Sequence, residues 1–170
     1  MPDTVKLALY EHRGGVETEP GNRIVYDVAR NGAFFGAAGV EGHALVWELT
    51  GDPGPGEWLL RCDRVDFSPG AVAYRHTHPG PGIRVLLTGR IRIETGGEMH
   101  EYGPFESWYE AGPEPVFAAA SETEETAFVR VMLLPREWEG KRTIRYVDPE
   151  DEDKPKLQRA TILLEAPVEP

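Results

Sequence analysis

The chain has 170 residues, 40% of them hydrophobic, and its 29 acidic and 18 basic side chains give a formal net charge of −11. That length predicts one domain with one core, and the acidic excess without a basic stripe excludes nucleic acid as a partner. No apolar run is long enough to predict a membrane span and the N-terminus lacks the pattern of a secretory leader, so we expect a cytoplasmic protein without membrane partners.

Short apolar runs separated by turn residues make up most of the chain. The 19 glycines and 15 prolines lie between these runs, a distribution typical of an all-β fold. In chain order, the sequence predicts strands over residues 5–10 and 23–28, a stronger one over 44–49 and a long one over 58–67. The long strand contains Cys62, whose apolar neighbours predict a small core residue rather than a reactive thiol.

The next strand, over residues 71–78, carries two histidines and is the most informative part of the sequence. Side chains alternate in an extended segment, so Val72, Tyr74, His76 and His78 are predicted to share one face. A Pro/Gly turn comes next and is followed by an apolar run that ends in glycine. Two imidazoles on one side of a rigid strand suit the capture of a metal ion inside a barrel.

Further strands and a charged tail complete the chain. Residues 83–94 contain two alternating strands, and 116–120 and 127–134 are predicted to be the closing strands. The remainder, 136–170, is charged and sparse in apolar residues, which predicts a surface arm. Its last β-prone run, 160–165, is expected to pair with a sheet edge or with a partner subunit.

The spacing around the histidines resembles the first motif of the cupin superfamily. That motif runs Gly, five residues, His, any residue, His, three or four residues, Glu, six residues and Gly. In this chain Gly70, His76, His78 and Gly89 fall in register with it. The resemblance implies a double-stranded β-helix, or jelly-roll, barrel with its site inside the barrel mouth, and usually a homodimer.

The resemblance also divides the chain into parts. It covers about residues 44–135, which we take as the barrel core. Residues 1–43 then add peripheral N-terminal strands, and 136–170 add the C-terminal arm. All three parts are expected to form one domain over residues 1–170.

The ligand positions of the family are altered in this chain. Gly82 stands where the first motif has its glutamate, and a glycine has no donor atom. Pro115 stands where the second motif has its histidine. The resemblance therefore predicts the fold and the position of a site, but it does not imply a reaction.

His76 and His78 are the candidate metal ligands, and a metal needs at least one more ligand to be held well. Glu106, Trp108 and Glu110 share a face in an extended segment, so one of the two carboxylates is a candidate third ligand or catalytic base. Iron, manganese, zinc and nickel are not separable from the sequence. The alternative is that both histidines are hydrogen-bonding barrel residues without a metal.

Arg84 shares a face with Gly82, and we predict that it points into the barrel, where the missing glutamate leaves room for its guanidinium. A buried arginine needs an anion, which is either a barrel carboxylate or a carboxylate of the substrate. Tyr74 and Trp108 are candidate aromatic residues of a substrate pocket, although core packing explains them equally well.

Two classes of function are compatible with this pattern. The first is a metal-dependent enzyme of the oxygenase, isomerase or lyase class that acts on a small carboxylate compound, with Arg84 as its anion clamp. The second is a non-catalytic protein that binds or senses a small anionic ligand and has lost full metal coordination. A purely structural dimer is a third alternative.

Overall fold

The structure is a computed structural model that describes residues 4–170, and its regular secondary structure is almost entirely antiparallel β-strand. In chain order the strands are β1 (Lys6–His12), β2 (Val16–Glu17), β3 (Arg23–Asp27), β4 (Gly32–Phe35), β5 (Gly39–Val40), β6 (Ala44–Thr50), β7 (Trp58–Phe67), β8 (Val72–Thr77), β9 (Gly82–Thr88), β10 (Ile91–Thr95), β11 (Glu98–Tyr102), β12 (Ser107–Glu110), β13 (Val116–Ala120), β14 (Thr126–Pro135), β15 (Arg145–Tyr146) and β16 (Gln158–Pro167). Two short 3-10 helices span Arg136–Trp138 and Pro149–Asp153. No helix in the described part of the chain is long and apolar enough to cross a membrane.

Two five-stranded sheets form the barrel. The front sheet has the order β12-β9-β14-β7-β16, and the back sheet has the order β11-β10-β13-β8-β15. Side chains from both sheets meet in one buried cluster, which joins Phe67 and Phe128 of the front sheet to Ala73 and Ala118 of the back sheet. The predicted all-β jelly-roll architecture is confirmed.

A third sheet, with the order β1-β6-β3-β4, packs on the outer face of the front sheet. Its buried Trp47 donates a hydrogen bond from Nε1 to the Ile83 carbonyl of β9 at 3.2 Å, and Leu60 and Val131 belong to the same cluster. The front sheet is therefore covered on both faces. Residues 44–49, which the resemblance assigned to the barrel core, lie in this N-terminal sheet instead, because β6 pairs with β1 and β3.

The C-terminal segment is part of the barrel and not only a surface arm. Its last strand, β16, pairs with β7 from end to end, so the predicted pairing with a sheet edge is confirmed. Arg61 of β7 anchors the segment that precedes β16. Its guanidinium donates to Glu165 Oε1 at 2.6 Å and to the carbonyl oxygens of Lys141 and Trp138 at 2.7 and 2.6 Å. These bonds hold residues 140–146 where they line the barrel cavity.

Cys62 is fully buried between the front sheet and the N-terminal sheet, which confirms its predicted place in the core. Burial raises the pKa of its thiol well above the usual range. A protonated thiol in an apolar environment is inert, so Cys62 contributes packing and no chemistry.

Candidate functional site

The barrel encloses a cavity of about 480 Å³ between its front and back sheets. One part of the lining is apolar and comes from the buried cluster that joins the two sheets. The other part is charged and includes side chains of the C-terminal segment before β16. Four residues predicted from the sequence, His76, His78, Arg84 and Glu110, line this cavity.

Three charged side chains form a row across the inner face of the front sheet. Asp63 of β7 lies opposite Arg130 of β14, which lies opposite Arg84 of β9, and we call these three residues the charged row. Asp63 accepts two hydrogen bonds from Arg130, from Nε to Oδ1 at 2.6 Å and from Nη2 to Oδ2 at 3.0 Å. This bidentate pair occupies two of the three guanidinium nitrogens and leaves Nη1 of Arg130 unengaged by Asp63.

Arg84 is almost completely buried, with 1% of its side chain exposed. Its Nη2 lies 2.9 Å from Glu110 Oε2, an ion-pair contact that lacks hydrogen-bond geometry, and its Nη1 has no hydrogen-bond partner in the described residues. Burial lowers the pKa of Arg84 to about 10 although Glu110 raises it, so the guanidinium is cationic at neutral pH. A Cβ on Gly82 would lie 2.9 Å from Nη1, so the glycine provides the space that the guanidinium occupies, as predicted.

Trp108 supports Glu110 and does not line the cavity. Its indole Nε1 donates to Glu110 Oε1 at 3.0 Å. The indole ring stacks on Tyr102, with centroids 4.7 Å apart, and meets the edge of Phe128 at 5.5 Å. Trp108, a candidate substrate contact from the sequence, is therefore a packing residue that fixes the position of the carboxylate.

β8 and the turn that follows it bring both imidazoles to the cavity, with ring centroids 4.9 Å apart. His76 Nδ1 donates to the Tyr74 carbonyl at 2.6 Å, which leaves Nε2 with a free lone pair. His78 Nδ1 lies 3.1 Å from Thr143 Oγ1, and its Nε2 is buried without a partner in the part of the chain that the structure describes. The prediction that the two rings come together inside the barrel agrees with this arrangement.

Both imidazoles are neutral at neutral pH. Burial is the main cause that lowers the pKa of His76, and the bond to the Tyr74 carbonyl opposes it only in part. The pKa of His78 is lowered further, first by burial and then by the nearby charges of Arg130 and Arg84. Neither ring therefore adds positive charge to the cavity, and His76 presents the lone pair of its Nε2.

A bulge in β8 separates Tyr74 from the histidines. Ala73 pairs with Ala118 and His76 pairs with Val116, so three steps along β8 match two steps along β13. The extra residue shifts the alternation of side chains, and Ala73 and His76 both face the cavity while Tyr74 does not line it. The prediction that Tyr74 and His76 share one face of the strand is therefore wrong, because it did not include the bulge.

Glu106 also lies outside the cavity. It is exposed, and its Oε1 accepts a hydrogen bond from the Gly103 amide at 2.7 Å. Glu106 precedes the first residue of β12, so the strand alternation that linked it to Glu110 does not reach it. Of the two predicted catalytic carboxylates, the structure brings only Glu110 to the histidines.

The donor atoms at this site do not by themselves fit a resident metal ion. The two imidazole nitrogens supply two ligands, but the described residues contain no group of three His, Cys, Asp or Glu side chains placed to hold a metal. Glu110, the predicted third ligand, is engaged by Arg84 and Trp108. The guanidiniums of the charged row also disfavour a dication nearby. The metal predicted from the sequence stays a prediction.

Sequence reasoning missed several residues of the cavity. Arg130 interrupts the apolar run 127–134 of β14, and such an interruption is a signal that a residue faces a polar interior. Its partner Asp63 stands in a strand with charges on both faces and gave no comparable signal. Thr143, Tyr146 and Lys156 reach the cavity only through the long-range docking of the C-terminal segment, which local patterns do not predict.

The lining of the cavity is basic although the protein is acidic. Seven lining residues are Lys or Arg and three are Asp or Glu, whereas the whole chain contains 18 basic and 29 acidic residues. The basic residues are Arg61, Arg84, Arg130, Lys141, Arg142, Lys156 and Arg159, and the acidic ones are Asp63, Glu110 and Glu152. The cavity therefore has a charge opposite to that of the protein as a whole.

No protein-family model and no curated protein matches the chain. Among solved structures it is similar to the polyketide cyclase RemF from Streptomyces resistomycificus, at 20% identity and a TM-score of 0.42, over 56% of this chain and 63% of that one. It is also similar to a Cupin 2 conserved barrel domain protein from Salinispora arenicola, at 18% identity and a TM-score of 0.39, over 43% and 61%. A third is an RmlC-like cupin from Shewanella frigidimarina, at 17% identity and a TM-score of 0.42, over 51% and 83%.

The chain spans less than two thirds of the first two of these structures.

Proposed function

We propose that the protein binds a small anionic molecule inside its barrel. The observation that carries this proposal is the basic lining of the cavity in a chain with a formal net charge of −11. A cleft of one sign of charge with low-dielectric walls concentrates ligands of the opposite sign and speeds their association. The lining therefore favours an anion over a neutral or cationic ligand.

The basic excess lies on the C-terminal wall of the cavity. The two arginines of the charged row each have an acidic partner, since Arg130 pairs with Asp63 and Arg84 contacts Glu110. The C-terminal segment has four basic lining residues against one acidic residue, and these are Lys141, Arg142, Lys156 and Arg159 against Glu152. Beyond this wall lie the buried guanidinium donors of the charged row, which an anion in the cavity would contact.

Buried donors without partners favour an anion at the charged row. Arg84 Nη1 has no hydrogen-bond partner in the described residues, and its ion pair with Glu110 lacks hydrogen-bond geometry. An unsatisfied buried donor costs roughly 1–3 kcal/mol, more when it is charged, and a carboxylate that accepts from it would remove that cost. The lone pair on Nε2 of His76 would accept a hydrogen bond from a hydroxyl of the same ligand.

Calorimetric titration of the purified protein with acetate, malonate, phenylacetate and octanoate tests this function. We expect at least one of these carboxylates to bind. The double variant Arg84→Leu/Glu110→Gln should bind it at least about tenfold more weakly. Glu110 is replaced together with Arg84 so that no buried carboxylate is left without its cation. Arg75→Leu is the matched control, because Arg75 is exposed on β8 next to His76 and does not line the cavity. If no carboxylate binds, the proposal fails. Unchanged affinity in the double variant removes Arg84 from the site.

A metal-dependent enzyme is the second candidate, and the ring orientation of His76 favours it. Its Nδ1 is held by a carbonyl, so its Nε2 is the nitrogen available to a metal, the usual arrangement for a ligating histidine. Such an enzyme would have His76 and His78 as ligands and would take its remaining ligand from outside the described protein groups. Metal analysis of protein purified without added metal, compared with His76→Ala, separates the two candidates. Stoichiometric metal that is lost in the variant supports the enzyme, and no metal in either sample supports the binding protein.

The homodimer implied by the family resemblance is likewise a proposal. Light scattering coupled to size-exclusion chromatography checks it, because the 18.9 kDa chain and its dimer are well separated in mass. A single species at the monomer mass over the micromolar range would exclude it.

A further inference from the structure

The cavity has an apolar end as well as a charged one. Six of its lining residues belong to the buried cluster between the two barrel sheets, and these are Val65, Phe67, Ala73, Ile93, Ala118 and Phe128. None of the six carries a hydrogen-bonding side chain. A ligand that enters far enough to reach them leaves water and meets apolar surface.

The two ends meet at one level in the front sheet. Along β7 the inward-facing residues change from Asp63 to Val65, and along β14 they change from Arg130 to Phe128. The strand register places Asp63 opposite Arg130 and Val65 opposite Phe128, so both strands cross the boundary together. The charged row therefore marks one side of a boundary, and the aromatic and aliphatic side chains mark the other.

The residues of the back sheet that line the cavity also change from polar to apolar at this level, and two of the apolar ones are small. Along β8 the cavity lining changes from Ala73 to His76. Ala73 lies directly opposite Ala118 of β13, so two small side chains lie side by side in the back wall of the apolar end, next to Ile93 of β10. Two methyl groups in place of larger residues leave volume in the apolar end that the core does not fill.

The cavity is larger than a small carboxylate ion requires. Its volume is about 480 Å³, within the range of roughly 300–1,000 Å³ that holds ligands of drug size. An ion such as acetate would occupy the charged end alone and would leave the apolar end without a partner. A ligand with an apolar body would fill both ends.

We infer that the ligand is an amphipathic monocarboxylate, with an aromatic ring or an acyl chain as its body. The carboxylate lies at the charged row, and the body lies between the front-sheet residues Val65 and Phe128 and the back-sheet residues Ala73 and Ala118. This inference rests on the proposed function, because it requires an anion site at the charged end. It adds a chemical class and an orientation to that site.

Titration calorimetry of the native protein with octanoate and phenylacetate, compared with acetate and malonate, tests the inference. We expect octanoate and phenylacetate to bind more tightly than acetate, by on the order of tenfold for every two CH₂ groups buried, with a negative heat-capacity change. Acetate or malonate binding as tightly as octanoate would overturn the inference and leave the anion site intact. If none of the four binds, the proposed function fails together with the inference.

Two variants and one control locate the body of the ligand. Ala118→Leu fills the apolar end from the back sheet, and Ala160→Leu fills it from β16, where residue 160 is exposed and pairs with Val65. Both are expected to weaken octanoate at least tenfold and to leave the affinity for acetate within twofold. Ala119→Leu is the control, since its side chain lies on the other face of β13 and does not line the cavity. Octanoate affinity unchanged in the folded Ala160→Leu variant would overturn the orientation even if Ala118→Leu does not fold.

Discussion

The two faces of the front sheet differ in what they contain, although they alternate residue by residue along the same strands. The outer face presents Cys62, Val85 and Val131, each 1% exposed or less, to the N-terminal sheet in an apolar core. The inner face presents the charged row to the cavity. The comparison shows that the two faces of one sheet have different roles. The outer face stabilises the fold, and the inner face holds buried charges that stability alone does not require.

The largest effect is expected in the core that the outer face forms with the N-terminal sheet. Trp47→Ala removes a fully buried indole that packs against the front sheet and donates to the Ile83 carbonyl, so the free energy of unfolding should fall by about 4 kcal/mol. Urea denaturation followed by circular dichroism measures it. Tyr10→Ala, at an exposed position of the neighbouring strand β1, should change it by about 0.5 kcal/mol or less. A loss below about 1 kcal/mol for Trp47→Ala would contradict the assignment of this face to stability.

The inner face should respond differently to single and double substitution. Asp63→Leu leaves Arg130 buried without its partner and should cost about 3 kcal/mol of unfolding free energy. The double variant Asp63→Leu/Arg130→Met replaces both charges by apolar groups and should recover most of that loss. The same double variant should bind carboxylates weakly. A double variant as unstable as Asp63→Leu would mean that the pair stabilises the fold in its own right.

The pH dependence of stability tests the cavity itself, because the imidazoles of His76 and His78 line it and are buried. Burial lowers the pKa of His76 and His78 below the value of 6.5 expected in the unfolded chain. Above that value both states are neutral and the rings contribute no pH dependence. As the pH falls below it, the unfolded state binds protons that the native state does not, so the unfolding free energy falls by up to about 1.4 kcal/mol per pH unit for each ring.

That decrease ends where the pH passes the lowered pKa values of the native state. Urea titrations between pH 7 and pH 4 of the native protein and of His78→Gln measure the difference between the two slopes. The variant should lose less stability on acidification, and the exposed His100→Gln should behave like the native protein. Identical slopes for the native protein and His78→Gln would show that His78 titrates normally.

The smallest effect is expected where the C-terminal segment meets the site. Thr143→Val removes the hydroxyl that lies 3.1 Å from His78 Nδ1, and should cost about 1 kcal/mol of unfolding free energy. It should also change the ¹⁵N shifts of the His78 ring, a change that a loss of packing alone would not produce. Thr161→Val, on an exposed position of β16, should leave both quantities unchanged.

Local patterns predicted much of this molecule. The histidine strand, the inward position of Arg84 beside Gly82 and the edge pairing of residues 160–165 all follow from alternation and spacing. Alternation fails at Tyr74, because a β-bulge is a property of the pairing with β13 and leaves no mark on β8 alone.

The position of Asp63 in the charged row could not be predicted, because its strand β7 is buried on both faces. In a strand with one wet face, the polar residues identify the outside. In β7, Arg61 and Asp63 point into the barrel and Cys62 points into a second core, so alternation does not show which side is the interior of the site. The C-terminal wall of the cavity is likewise set by docking over long sequence distances, such as the bond from Arg61 to Glu165.

A crystal structure of the protein soaked with octanoate tests the central claim most directly. We predict density for the carboxylate within hydrogen-bond distance of Arg130 or Arg84, and for the acyl chain beside Phe128 and Ala118. A chain that points out of the cavity, or an acid bound only on the outer surface, would contradict the account.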